Sequence, residues 1–425
     1  MSIALQNLIN KLIVISSIHL GLPDLTERFL LGCSQTFNYN RTFCDSKIGK
    51  VREVNTFYHG NQNNKLILTI IGPSAEVTSG SVLRPLNIYY SLKGFRYVCV
   101  MYIPIREMPR LLLEIPRILR SDIVIVSGVA PWISALLAVL GKLMKKKVII
   151  DFHGFGWIEA NAFGEPLIYR LLVLISEKVA FRFSYCALAT SKWLSNAMKS
   201  FFSEKPCTLT IENAVPFIFE KVVNTLEKEN DEKTLRKYVC EDILHLCSSE
   251  CYKRKLFVAP LPYWFYSNVL ASNRLSTIRD KLGKNVLIAV TGTPNAEKID
   301  NAIFATGYLE YVKYVALVLS ADGIILPYPS NAVCGGIRNK VLEAGYAGKQ
   351  VISTKYGMLF VEEAKPWVHY IPLEQVLENE KLNEMEHVSG KQAVNLHLLI
   401  TSNYSFNSFR RKILHFIKAI IRLYR

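Results

Sequence analysis

Apolar residues along this chain fall into two spacings that take turns. Unbroken runs at Lys65–Gly72 (KLILTIIG), Tyr97–Tyr102, Asp122–Ser127 and Lys147–Asp151 read as strands buried on both faces. Between and after them, Ser81–Lys93, Pro131–Met144, Leu167–Arg182 and Lys192–Phe202 repeat apolar positions every three or four residues and predict helices. Tyr185–Thr190 and Thr208–Ile211 add short strands. A second block repeats the scheme with strands at Leu256–Pro260, Asn285–Thr291, Gly323–Leu326 and Gln350–Thr354, and a helix over Ile337–Ala347. Strands that alternate with helices predict two parallel, doubly wound sheets. A ligand belongs at the carboxyl ends of the strands, in the cleft between the two domains.

At 425 residues the chain has room for two such domains. The expected division is 1–64 as an N-terminal extension packed on the first domain and 65–218 as the first Rossmann-like domain. Residues 219–255 then form a charged linker or insertion, 256–400 the second Rossmann-like domain, and 401–425 a basic helical tail. The net charge of +16 is uneven. Residues 65–218 carry 18 basic and 10 acidic side chains and 401–425 carry 6 and none, while 219–400 balances. Such asymmetry points to an anionic surface or substrate on the first domain.

The nine cysteines form no C-x-x-C framework. Cys240, Cys247 and Cys251 with His245 fit no common zinc spacing, so free thiols in a reducing cytoplasm are expected, with no metal. Met1–Leu20 lacks the basic start and small-residue cleavage site of a secretory signal. Val129–Leu143 is apolar but bounded by Pro131 and Gly141, too short to span a bilayer, and reads as a buried helix. The tail repeats Phe409, Ile413, Phe416, Ile417, Ile420 and Tyr424 at helical spacing, with Arg410, Arg411, Lys418, Arg422 and Arg425 mostly elsewhere. Its apolar face has two destinations open to it: an anionic membrane, or the first domain.

The densest chemical signal is 320–354, SADGIILPYPSNAVCGGIRNKVLEAGYAGKQVIST. A strand leads into a loop ending at Gly335-Gly336, and a helix opens immediately afterwards. Its free backbone N–H groups and positive dipole end suit a phosphate or diphosphate. Arg338 and Lys340 fall in the expected first turn, where cations disfavour the helix unless an anion is bound. In the first block, the strand VIID runs into His153-Gly154 and Gly156. His153 is a candidate for bonding a sugar hydroxyl or phosphate, with Asp151 to orient the loop and Glu159 as a further carboxylate.

Ala321-Asp322, Pro327, Gly335-Gly336, Leu342-Glu343-Ala344, Ala347-Gly348-Lys349 and Val351–Thr354 together resemble the nucleotide-sugar site of family 4 retaining glycosyltransferases (glycosyl transferases group 1) of the GT-B fold. Pro262–Ala271 and Glu212–Pro216 resemble further segments of that family. The likeness covers roughly residues 65–365. It implies two Rossmann-like domains facing a cleft and transfer of a sugar from a nucleotide-sugar donor to a glycan or lipid-linked acceptor. It implies a retaining, metal-independent reaction with no further cofactor. Glu343 takes the place of the carboxylate that binds the ribose. Gly335, Gly336 and Ile337 line the donor, with Ser74, Ser79 and Gly80 in the first loop, and His153 acts in catalysis; Arg338 and Lys340 are expected to meet the diphosphate from their place at the helix start, not from a match to the family's residues. The chain departs from the family at Gly335, where a carboxylate often stands, and lacks its Arg/Lys loop at the matching place, VAPLPYWFYSN (258–268). Those departures keep two other readings open: a non-catalytic nucleotide- or nucleic-acid-binding protein, and a nucleotide-sugar epimerase. No Asp-x-Asp occurs, which disfavours a metal-dependent alternative. The implied location is the cytoplasm or its membrane face, reached through the tail helix, and nucleic acid is not an expected partner because no DNA-reading motif is present.

Overall fold

The computed structural model describes residues 57–59, 66–77, 80–105, 108–203, 207–246, 251–263, 266–283, 285–332, 334–378 and 390–422. Residues 1–56, Ser79, Cys247 and Tyr424, which figure in the sequence reading, lie outside these.

The first sheet holds β1 (Phe57–His59), β2 (Leu66–Gly72), β3 (Val98–Pro104), β4 (Ile123–Ser127), β5 (Lys147–Phe152), β6 (Cys186–Ala189) and β7 (Thr208–Thr210), in the order β1-β3-β2-β4-β5-β6-β7. The second holds β8 (Lys255–Pro260), β9 (Val286–Thr291), β10 (Ala296–Lys298), β11 (Ile303–Thr306), β12 (Gly323–Leu326), β13 (Gln350–Ser353) and β14 (Ile371–Pro372), in the order β10-β11-β9-β8-β12-β13-β14. All neighbours run parallel except the antiparallel edges β1 and β10. β1 comes from the segment read as an N-terminal extension. Three residues beside polar neighbours give no period to detect, and pairing with β3 makes the strand. β10 (AEK) is exposed, and like β1 it is silent in sequence.

The period of two explains why central strands are apolar throughout. Leu68, Ile70, Val100, Tyr102, Ile123, Ile125 and Ile149 face one side of the first sheet. Their alternates Ile71, Met101, Ile103, Val124, Val126, Val148 and Ile150 face the other. Each side is roofed by helices, so neither parity meets water. An aspartate precedes the strand next to the first parallel strand in both sheets. Asp122 Oδ2 accepts from the Ile67 amide at 2.8 Å and Asp322 Oδ2 from the Leu256 amide at 2.7 Å. Each satisfies a strand-end N–H that the ladder leaves open.

The charged stretch after residue 216 forms helices Phe217–Glu229 and Glu232–Tyr238. Phe219, Val223, Leu226, Leu235 and Val239 turn one face of it into the second core. Two disulfides correct the free-thiol expectation: Cys186–Cys207 joins β6 to the approach to β7, and Cys240–Cys251 closes the end of the charged stretch. Spacing alone could not pair them, because adjacency in the sheet brings Cys186 and Cys207 together. Among the described residues no cluster of His, Cys, Asp and Glu has the makings of a metal site.

The chain crosses between the lobes twice, side by side. Val215 N donates to Tyr404 O at 2.8 Å, and the Phe217 and Phe406 rings lie 4.9 Å apart. The second crossing delivers helix Phe406–Arg422 to the first sheet. Phe409, Ile413, Phe416, Ile417, Ile420 and Ile421 are buried there against Leu86, Tyr89 and the strands. The tail's apolar face is therefore inside the protein, which corrects its use as a membrane surface: core burial claims it first. Among the described residues no helix is long and apolar enough to cross a membrane.

Candidate functional site

Two loops meet at the carboxyl edges of the sheets. The first follows β5 and carries His153; the second follows β12 and carries Cys334–Arg338. Thr190 Oγ1 donates to Gly335 O at 3.1 Å, Ser191 Oγ donates to the same oxygen at 2.7 Å, and Asn213 Nδ2 donates to Ile337 O at 2.9 Å. Ser191 also caps helix Lys192–Phe202 by accepting from the Leu194 amide. The approach is closest at the two glycines. A Cβ on Gly335 would stand 2.1 Å from His153 O, and one on Gly336 would stand 2.6 Å from Thr190 Oγ1. Backbone packing between lobes thus excludes any side chain at 335, the position where the resemblance expects a carboxylate.

A cavity of about 430 Å³ opens beside this seam, lined by His153, Glu159, Glu177, Gly335, Gly336, Ile337, Arg338 and Lys340 among others. That volume suits a ligand of a few hundred daltons. On the first lobe, Arg84 is buried inside an otherwise uncharged helix, Gly80–Leu92. Its Nε and Nη2 reach both oxygens of Asp151 at 2.8–3.1 Å, and Nη1 donates to Asn213 Oδ1 at 3.1 Å. Burial alone would raise the Asp151 carboxyl, but Arg84 and the His153 hydrogen bond outweigh it and hold the group well below the ordinary carboxylate range. Asp151 Oδ2 accepts from Ser127 Oγ at 2.6 Å and lies 3.1 Å from His153 Nε2. His153 is thereby oriented by a permanent anion, with Nδ1 as the ring's remaining hydrogen-bonding position.

Two carboxyls share this side. Burial raises the Glu159 carboxyl while Arg338 opposes the shift. Burial likewise pushes Glu177 up to about 7, against the Gly156 amide that donates to it at 2.6 Å.

On the second lobe, the helix begins at Asn339, two residues later than its apolar pattern suggests. Arg338 is its N-cap residue. The guanidinium lies 3.7 Å over the Tyr328 ring, and its Nε and Nη2 are buried with no hydrogen-bond partner. Lys340 Nζ donates to Asn268 Oδ1 at 2.9 Å and Tyr328 Oη at 2.8 Å. Burial, reinforced by Arg338, holds its ammonium well below the usual lysine range. Tyr328 is fully buried and bonded to Asn268. Its ring serves as a floor under Arg338.

Glu343 is buried and is not among the residues lining the cavity. Its oxygens accept from Tyr311 Oη at 3.0 Å and Tyr314 Oη at 2.7 Å, and burial raises it to about 7 despite those bonds and Lys340. Ser74 is also absent from the lining; its carbonyl accepts from Tyr102 Oη at 2.7 Å and its Oγ from the Glu76 amide. Gly80 opens helix Gly80–Leu92, whose next residue, Ser81, lines the cavity. Sequence reasoning missed Arg84, Ser127, Glu177 and Asn268. Arg84 left one trace, the lone charge in its helix.

No protein-family model and no curated protein sequence matches this chain. Solved structures do match. HepE from Anabaena, in complex with UDP-glucose, superposes with a TM-score of 0.60 at 10% identity, over 83% of this chain and 100% of that one. Sucrose-phosphate synthase from Thermosynechococcus elongatus gives 0.59 at 11% identity, over 84% and 100%. The fold is GT-B. At such identities the likeness is one of architecture, and the GT-B cleft is where the cavity above lies.

Proposed function

We propose that this GT-B protein transfers a glycosyl group from a nucleotide-sugar, with a uridine nucleotide as the first candidate, to a glycan or lipid-linked acceptor. One observation carries the reading. Arg338 and Lys340 from one lobe and His153 from the other converge on a single cavity, and two guanidinium nitrogens of Arg338 have no partner in the protein. An unpaired buried donor costs about 1–3 kcal/mol, which a bound diphosphate would recover. The same diphosphate would restore the charge that burial denies Lys340. In the reaction, the bond from the anomeric carbon to the diphosphate oxygen breaks while one from that carbon to the acceptor hydroxyl oxygen forms, the hydroxyl proton passes to the departing diphosphate, and Arg338, Lys340 and the helix N–H groups absorb the negative charge that grows on the leaving oxygen. His153, held by Asp151, bonds the donor sugar. Glu343 holds the helix that carries Lys340, and a ribose contact would require the Tyr311 and Tyr314 hydroxyls to yield. HepE in complex with UDP-glucose supports the donor class. The retaining and metal-independent outcome belongs to the same proposal and is checked by the anomeric NMR signals of product formed in chelator.

The test is thermal stabilisation by UDP, GDP, ADP and dTDP and their sugars. UDP or a UDP-sugar is expected to raise Tm, with Arg338→Gln weakening binding at least about tenfold. Mass spectrometry of the spent donor then separates transfer from epimerisation, which leaves the sugar on the nucleotide. Folded protein that no nucleotide stabilises would overturn the proposal.

A further inference from the structure

Helix Leu167–Phe183 presents an apolar face that no other described residue of the protein covers. Leu167, Ile168, Leu171, Leu172 and Ile175 are each 46–64% exposed, far above what a monomer leaves open on one helix face. At 100° per residue these positions share one side, and Lys178 and Arg182 continue it, both exposed. The helix's one carboxylate, Glu177, is buried on the opposite side. The pattern is an apolar stripe running into a basic one, with no acidic residue on it.

The surroundings repeat the chemistry. Helix Pro131–Leu143 packs alongside, and at its carboxyl end Leu143 and Met144 stand exposed between Lys142 and Lys145. Lys147 Nζ lies 4.8 Å from the Tyr185 ring, which puts that end beside the basic end of helix Leu167–Phe183. At the other end, Phe163 is 45% exposed and also lines the cavity, so the stripe starts at the mouth of the site.

We propose that the face formed by Leu167, Ile168, Leu171, Leu172 and Ile175, with Lys178 and Arg182, docks on an anionic lipid bilayer. The occupant follows from charge complementarity. Aliphatic side chains enter the acyl boundary while the lysine and arginine meet lipid phosphates, the arrangement of an in-plane interfacial helix about 25 Å long. Delivery of a lipid-borne acceptor past Phe163 to the cavity rests on the transferase reading; the docking itself does not.

The test uses the full chain with vesicles of phosphatidylcholine, with and without phosphatidylglycerol. The parent is expected to bind the anionic vesicles and to release as salt rises. Leu171→Glu/Ile175→Glu should lower partitioning at least about tenfold, and Lys178→Gln/Arg182→Gln about tenfold on anionic vesicles, each charge being worth several-fold. Tm and nucleotide-induced stabilisation should stay at parental values in both, which separates this proposal from the one above. Parental protein that ignores anionic vesicles, or variants that bind like the parent, would overturn it. So would a concentration-dependent dimer that Leu171→Glu/Ile175→Glu dissolves, since a second copy would then own the face.

Discussion

Helices Leu167–Phe183 and Phe406–Arg422 are both 17 residues long, both apolar on one side and both basic, yet they are used in opposite ways. The tail helix has the cleaner amphipathic pattern, and its apolar side is sealed in the first core. The earlier helix buries Val173, Ser176, Glu177, Ala180 and Phe181, while five aliphatics remain in water. A periodic pattern states that a helix has an apolar side; it does not state what lies against it. That is decided by how much apolar surface the sheet offers, and the two crossings at Phe217 and Phe406 bring the tail to it.

The comparison breaks most severely at Ile413, which is fully buried. Ile413→Asp places an unpaired charge in the core and should cost more than about 4 kcal/mol, abolishing the cooperative denaturant transition. A cooperative transition near the parental midpoint would mean that the tail helix is dispensable packing.

Arg84 shows that the tail reaches into the site. Its guanidinium lies 5.5 Å from the centre of the Phe409 ring while gripping Asp151. Arg84→Met leaves a buried carboxylate without its partner, and about 3–5 kcal/mol of stability should be lost in chemical denaturation. A smaller loss would show that water replaces the guanidinium, and that the pair is less enclosed than its burial indicates.

Much of this organisation was legible in the sequence, and the exceptions have a common cause. The parallel sheets, the cleft and the placement of His153, Arg338 and Lys340 on one cavity follow from local patterns: buried runs, glycine pairs and helix starts. The disulfides, the Arg84–Asp151 pair and the Tyr311–Glu343–Tyr314 cluster were not legible, because each joins residues that meet only after the sheet order is fixed. Gly335 is instructive. In sequence it reads as a missing carboxylate; in the structure it is the point where two backbones approach too closely for any side chain.

The buried side of helix Leu167–Phe183 offers a smaller test through pH. Burial raises Glu177 to about 7, so folding favours its protonated form. A carboxyl raised in this way contributes stability that is complete below its unfolded value, ordinarily near 4.5, and that is lost as pH climbs through about 7. The full swing is roughly 3 kcal/mol. Glu343, also raised to about 7, adds a loss of the same sign. Denaturant midpoints should fall between pH 5 and pH 8, and Glu177→Gln should remove about half of that fall while leaving the part due to Glu343. A slope unchanged in the variant would place the titration elsewhere.

The smallest effect is also the sharpest contrast with Ile413. On the exposed face, Leu171→Glu and Ile175→Glu disturb no core contact and leave no cavity, so each should shift stability by no more than about 0.5 kcal/mol. The same class of change, aliphatic to acidic, would then unfold one helix's setting and leave the other's untouched. A loss of 2 kcal/mol or more at Ile175 in dilute, vesicle-free protein would mean that this face is covered in solution by protein, and the two helices would no longer differ in kind.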